Sequence, residues 1–244
     1  MGLTFVCCIF TTTPCLVCKC DVKVEYLPVV KYLFSLLRTF FAYLVLSIGT
    51  YLMLRMIIDY SSFDPHMHFL ARKQEYIHIP LWIGAFYVHV FSAIVALAAG
   101  FTQFSPRILR QYKKLHRVVG WIYAVDILII NFPAGLIMAY YANGLLLSKI
   151  AFTILDVLWA WFTYKAVAAA RRHDFEAHRE HMIRSYALTF SAIMLRTWRI
   201  ILSHLFHPDP LTLYMIDAWM GFVPNLLLAE WIIRRQRKLA VKPA

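Results

Sequence analysis

Cysteine is absent from everything after residue 20. All five sit in the leader, at Cys7, Cys8, Cys15, Cys18 and Cys20, so no disulfide framework holds the rest of the chain. No second Cys or His cluster near CLVCKC completes a tetrahedral ligand set. That leaves three readings of the cluster open: a soft Cu(I) site, a palmitoylated segment, or a leader with no role. The first twenty residues do not read as a secretory signal, because the first basic residue, Lys19, follows the apolar stretch instead of preceding it. Val6 stands where N-myristoylation wants Ser or Thr. Acidic residues are scarce, 13 against 25 Lys plus Arg. The chain also lacks a nucleophile–base triad, a phosphate loop and an HExxH pair, which argues against a hydrolase or an ATPase.

What the chain has is apolar length. It is 61% hydrophobic, with a mean hydropathy of +0.62, well beyond the half-apolar composition of soluble domains. The expected fold is all-α, a polytopic transmembrane bundle. Taking roughly 20 apolar residues per crossing, six spans are expected, near 32–58, 81–104, 117–141, 146–169, 182–203 and 211–233. Residues 1–30 form a Cys-rich leader, 31–233 the membrane domain and 234–244 a basic tail. The net charge of +12 falls between the apolar runs, so it reads as membrane topology and not as a nucleic-acid footprint. Arg107, Arg110, Lys113, Lys114 and Arg117 follow the second span, Arg171, Arg172, Arg179 and Arg184 the fourth, and Arg234, Arg235, Arg237 and Lys238 the sixth. The positive-inside rule then places both termini in the cytoplasm of a cell whose inner membrane holds the protein. Arg72 and Lys73, in the first outer loop, run against that rule.

Prolines interrupt two spans, Pro133 in NFPAG and Pro224 in FVPN. Each should kink its helix and free a carbonyl that must be satisfied inside the bundle.

Polar residues inside the spans define two stripes. On the fifth, His178, Met182, Ser185, Thr189, Ala192, Arg196, Arg199 and Ser203 alternate by three and four, the spacing of one helix face. On the second, His89, Ser92, Ala93, Ala96, Gly100 and Gln103 form a matching face. Charged groups facing lipid are costly, so both faces should point into the bundle. Asp126 and Asp156 fall near mid-membrane and require protonation or a partner, for which Arg196 is the natural candidate and Asp217 its competitor. The expected polar layer is therefore His89, Asp126, Asp156 and Arg196. It serves either function or merely helix order.

The segments KLHRVVGWIY and AHREHMIRSY pair His116-Arg117 with His178-Arg179, and each is followed by a Tyr, Tyr123 and Tyr186. The match suggests two helical hairpins, spans two and three and spans four and five, as a weak internal repeat. Histidine beside arginine at a helix start suits a haem b with axial His116 and His178, a quinone, or a lipid phosphate. Arg117 and Arg184 would then neutralise propionates or a quinone oxygen, with Gln103, Tyr123 and Tyr186 nearby. The simple alternative is headgroup anchoring. No helix carries the His spacing of a two-haem cytochrome, so one haem is the limit. PHMHF in the outer loop adds His66, Met67 and His68 as weak copper ligands.

AGFTQFSPRILRQYKKLHRVVGWIY, AHREHMIRSYALTFSAIMLR and VPNLLLAE together resemble a bacterial family of predicted membrane proteins with a domain of unknown function, over about residues 83–233. The resemblance rests on His89, Gly100, Phe101, Gln103, Phe104, His116, Arg117, Gly120, Tyr123, His178, Arg179, Met182, Arg184, Ser185, Tyr186, Arg196, Asn225 and Glu230. His181 departs from it, standing where an aromatic is usual, and the leader lies outside it. The family implies a membrane protein and no reaction. Redox or electron transfer through haem b or quinone is the leading functional expectation. A transporter, or an ion-coupled or lipid-binding protein using the intramembrane His/Asp/Arg layer, is the alternative. The lipid bilayer is the expected surrounding, with a small-molecule ligand inside.

Overall fold

The computed structural model describes residues 27–241. The Cys cluster and most of the leader lie outside them. The chain divides at Ala42. In the first unit α1 begins at Leu27, and Phe40 and Phe41 meet edge-on at 5.8 Å. The second unit runs from Tyr43. It holds the rest of α1, to Tyr60, then α2 (Pro80–Gln103), α3 (Pro106–Gln111), α4 (Lys113–Val125), α5 (Phe132–Tyr140) and α6 (Leu145–Arg171). After these come α7 (Phe175–Thr189), α8 (Ser191–Phe206), α9 (Pro210–Met220) and α10 (Val223–Val241). A single 3-10 turn, Leu70–Arg72, lies in the α1–α2 connection. No strand occurs among the described residues, so the all-α expectation holds.

Helix starts follow local rules. Pro80, Pro106 and Pro210 occupy first helical positions, where a missing N–H costs nothing. Asp209 accepts from the N–H groups of Leu211 and Thr212, and Asp174 accepts from Ala177 at 3.0 Å.

Five helical stretches are long and apolar enough to cross a membrane, at 32–60, 80–103, 113–140, 145–171 and 210–238. The sequence suggested six. The difference is the segment expected as one helix over 182–203, which breaks at Phe190 into α7 and α8. Hydroxyls explain the break. Ser191 donates to the Leu188 carbonyl at 2.5 Å and Thr189 to that of Ser185 at 3.3 Å, and such back-bonding bends helices.

Both proline segments deform as expected, each with an asparagine in attendance. Before Pro133, residues Asp126–Asn131 form a π-turn. There Asn131 Nδ2 donates to the Asp126 carbonyl at 3.3 Å and to its carboxylate at 3.0 Å. At the Pro224 break, Asn225 Nδ2 donates to the Gly221 carbonyl at 3.0 Å and reaches the Ala187 carbonyl of α7 at 3.3 Å. At the Pro224 break the side-chain amide thus satisfies carbonyls that have no helical partner.

The core of the second unit gathers Ala96, Ala99, Tyr123, Ile127, Ala151, Trp159, Leu188, Ala218 and Phe222 around the α6–α7 pair. Small residues let backbones approach. At Gly100 a Cβ would lie 1.9 Å from the Tyr186 hydroxyl, so Tyr186 seats against bare backbone and donates to the Leu97 carbonyl at 2.7 Å.

Candidate functional site

Two regions of the second unit collect polar side chains. The first is a cavity of about 530 Å³ at the end of the bundle that carries the α1–α2 connection. Its walls include Trp82, Phe86, Phe152 and Trp159. Space arises where small residues face one another, among them Ala93 of α2, Gly135 and Ala139 of α5, and Ala192 of α8.

His89, Asp156 and Arg196 of the expected polar layer all line this cavity, and Asp126 is not among its lining residues. At 1.5 Å per residue His89 stands about 13 Å along α2 from its start. Its Nδ1 is buried with no hydrogen-bond partner, as is Oδ2 of Asp156. Asp156 lies so close to α5 that a Cβ on Gly135 would stand 2.6 Å from its Oδ1. Four members of the fifth-span stripe, Thr189, Ala192, Arg196 and Arg199, share the wall.

The expected pairing of Arg196 with an acid is not what the structure contains. Arg199, one turn on, takes Asp217 of α9 at 2.7 Å. Arg196 donates through Nη1 to the Ala192 carbonyl of its own helix at 2.6 Å and has no carboxylate within ion-pair distance among the described residues. Arg196 is exposed and is one of the residues that line the cavity. His89, Tyr60 and Arg199 lie within its electrostatic reach.

Lys73 also reaches the cavity. It is 2% exposed. Its ammonium donates to the Tyr141 carbonyl and, at 2.7 Å, to Asn143 Oδ1. It also lies 5.0 Å from the Tyr76 ring centre. Burial pushes its pKa down to about 8. The sequence marked Lys73 only as an exception to the charge rule; that misfit was the available signal.

The second region surrounds the starts of α4 and α7. His116 and His178 are each the fourth residue of their helix and lie within electrostatic reach of one another. His178 Nδ1 is 2.9 Å from the Ala166 carbonyl. A carbonyl only accepts, so Nδ1 carries the proton and Nε2 keeps a lone pair in the neutral ring. Nδ1 of His116 is buried and unpartnered. Tyr123 and Tyr186 stand with ring centres 6.5 Å apart, and Gln103 donates to the His116 carbonyl at 3.1 Å.

Most other groups here are engaged. The Tyr123 hydroxyl meets Ser185 at 2.7 Å and Thr189 at 2.9 Å. Thr163 bonds Ser185 at 2.7 Å, and Trp159 Nε1 donates to Thr189 at 3.0 Å. Arg184 forks onto Glu230 of α10, at 2.5 Å from Nε and 3.1 Å from Nη2. Arg237 forks onto Glu180 at 2.5 Å for both bonds. Arg184 also stands 3.7 Å from Glu180. The Arg237 guanidinium, with Arg184 behind it, holds the Glu180 carboxyl below the usual glutamate range. At the start of α7 the Asp174 carboxylate already occupies the anion position. Arg117 is exposed.

Glu180 was passed over in the sequence and Glu230 entered only through the family pattern, although acids are rare enough there that each beside a basic cluster is a pairing signal. His181, the departure from the family pattern, stacks on Phe162 at 6.2 Å, so its ring fills an aromatic place. In the α1–α2 connection, His68 Nε2 lies 3.0 Å from Asp59, and Met67 sulfur accepts from Ser62 at 3.2 Å. The described residues hold no group of three or more His, Cys, Asp or Glu able to bind a metal ion.

No curated protein and no solved structure matches the chain. A family model described as a predicted membrane protein, DUF2306, matches residues 86–233. That stretch contains the cavity's His89, Asp156 and Arg196, both imidazoles of the second region and the Arg184–Glu230 pair, and the chain belongs to this family of multi-pass membrane proteins.

Proposed function

We propose that the protein is a non-enzymatic carrier or receptor that holds a small molecule inside the bilayer, in the cavity beside Arg196. One observation carries this reading: a cavity of about 530 Å³ combines aromatic walls with an accessible guanidinium that no carboxylate neutralises. Ligand sites are concave, mostly apolar, and fixed by a few polar groups. Here those groups are His89, Asp156 and Arg196.

Residues 175–206 act as a sixth, broken crossing. The even count returns the chain to the side from which it entered, and the basic clusters place both termini in the cytoplasm. The cavity then opens on the outer half of the membrane and the paired imidazoles lie near the inner face.

Filling the cavity tests the proposal. Organic extracts of purified wild type should contain a small molecule that extracts of Ala93→Phe lack. Identical extracts from two equally folded proteins would remove the reading.

A second reading keeps redox chemistry at His116 and His178, as a haem b or quinone site. His178 favours it, because its Nδ1 is anchored to a carbonyl, as in many metal-ligating histidines. His116 and His178 would hold a haem there, which would supply one-electron chemistry, with Arg117 as the cation for a propionate. Protein expressed with haem should show a Soret band that His178→Ala loses. A colourless wild type ends the haem version.

A further inference from the structure

We infer that the cavity's ligand is an amphipathic monocarboxylate, its head on Arg196 and its apolar body against Trp82 and Trp159; the inference rests on the binding role proposed above. Charge comes first. The wall carries four basic residues, Arg72, Lys73, Arg196 and Arg199, against one acid, Asp156. Three of these basic groups are spent or lie at the rim. Arg199 is neutralised by Asp217, Lys73 is bound to two oxygens of the α5–α6 connection, and Arg72 is exposed on the α1–α2 connection. Arg196 is left.

Geometry comes second. Only Nη1 of Arg196 is used, on its own helix. Nε and Nη2, the edge that receives a carboxylate as two parallel bonds, have no protein acceptor among the described residues. A cation so placed is costly unless a counter-charge joins it. One uncompensated charge matches a single carboxylate better than a dianionic phosphate. His89, whose Nδ1 is unpartnered, supplies a further polar contact on the same wall.

The third argument is the body of the cavity. Trp82, Phe86, Phe152 and Trp159 line it, and flat aromatic walls suit a ring system or a short alkyl chain. A free inorganic anion would satisfy Arg196 and leave these walls empty.

Quenching of tryptophan emission in the detergent-solubilised full chain tests the proposal, since two tryptophans line the cavity. Three probes share one body: 6-bromo-2-naphthoate, the corresponding methanol and the corresponding methylammonium. The naphthoate should bind at least tenfold more tightly than the other two. Arg196→Gln should weaken it by about tenfold to hundredfold, the range of a charged hydrogen-bonded pair, and leave the alcohol unchanged. Arg196→Lys should restore part of the preference. If all three probes quench equally in wild type, or the preference survives Arg196→Gln, the ligand is not an anion held by Arg196, while the cavity's binding role stands. If none of the three quenches, that role falls as well. The wild-type comparison decides the matter even where a variant does not fold.

Discussion

The two ends of the second unit differ in how completely their charges are paired. Around α7 and α10 the strong groups find partners: Arg184 with Glu230, Arg237 with Glu180, Tyr123 with Ser185 and Thr189. Around the cavity, Arg196, Asp156 and His89 share a wall, and each keeps atoms without a protein partner. Paired charges fix the order and tilt of helices at the cost of desolvation. Unpaired ones beside empty space add nothing to that order, so the difference separates a structural clamp from a ligand site.

Removing one charge at each end is the sharpest way to break the comparison. Arg184→Met strands the Glu230 carboxylate, while Glu180 keeps Arg237, and should lower unfolding stability by about 2 kcal/mol, read as a lower denaturation midpoint in detergent. Tyr123→Phe deletes one hydroxyl from a buried network and should cost about 1–2 kcal/mol by the same measure. A smaller effect is expected at Lys73. Its folded pKa of about 8 lies below the ordinary 10.5, so the unfolded chain holds more protons between those values. Stability should therefore rise with pH across that window, with the full cost of the buried charge in force below pH 8. Lys73→Met should flatten this rise. The smallest loss belongs to Arg196→Met, which breaks no ion pair and removes an uncompensated charge, so stability should stay level or rise. If it destabilised as much as Arg184→Met, the contrast between clamp and site would collapse.

Much of this was legible in the chain. The three-and-four spacing of Thr189, Ala192, Arg196 and Arg199 marked one face, and these four residues share the cavity wall. The His116 and His178 segments start alike and lie within electrostatic reach of one another. What escaped the sequence depends on fractions of a turn and on partners far along the chain. Arg196 and Arg199 differ by one turn, yet only Arg199 meets Asp217; nothing local distinguishes them. The Phe190 break lies in a segment apolar enough on average to read as one span, and its cause is two hydroxyls that bond backward. The cavity itself is a sum of missing volume at Ala93, Gly135, Ala139 and Ala192, which no pattern of hydropathy reports.

The π-turn at Asp126–Asn131 has a bearing on how this wall was built. A wide turn accommodates one more residue than an α-turn, and each residue advances a helix by about 100°. Winding the same residues as a regular α-helix would swing Gly135 and Ala139 away from the wall. The hollow would lose two of its small residues without any change of sequence, so the winding of this segment matters to the site as much as its chemistry does.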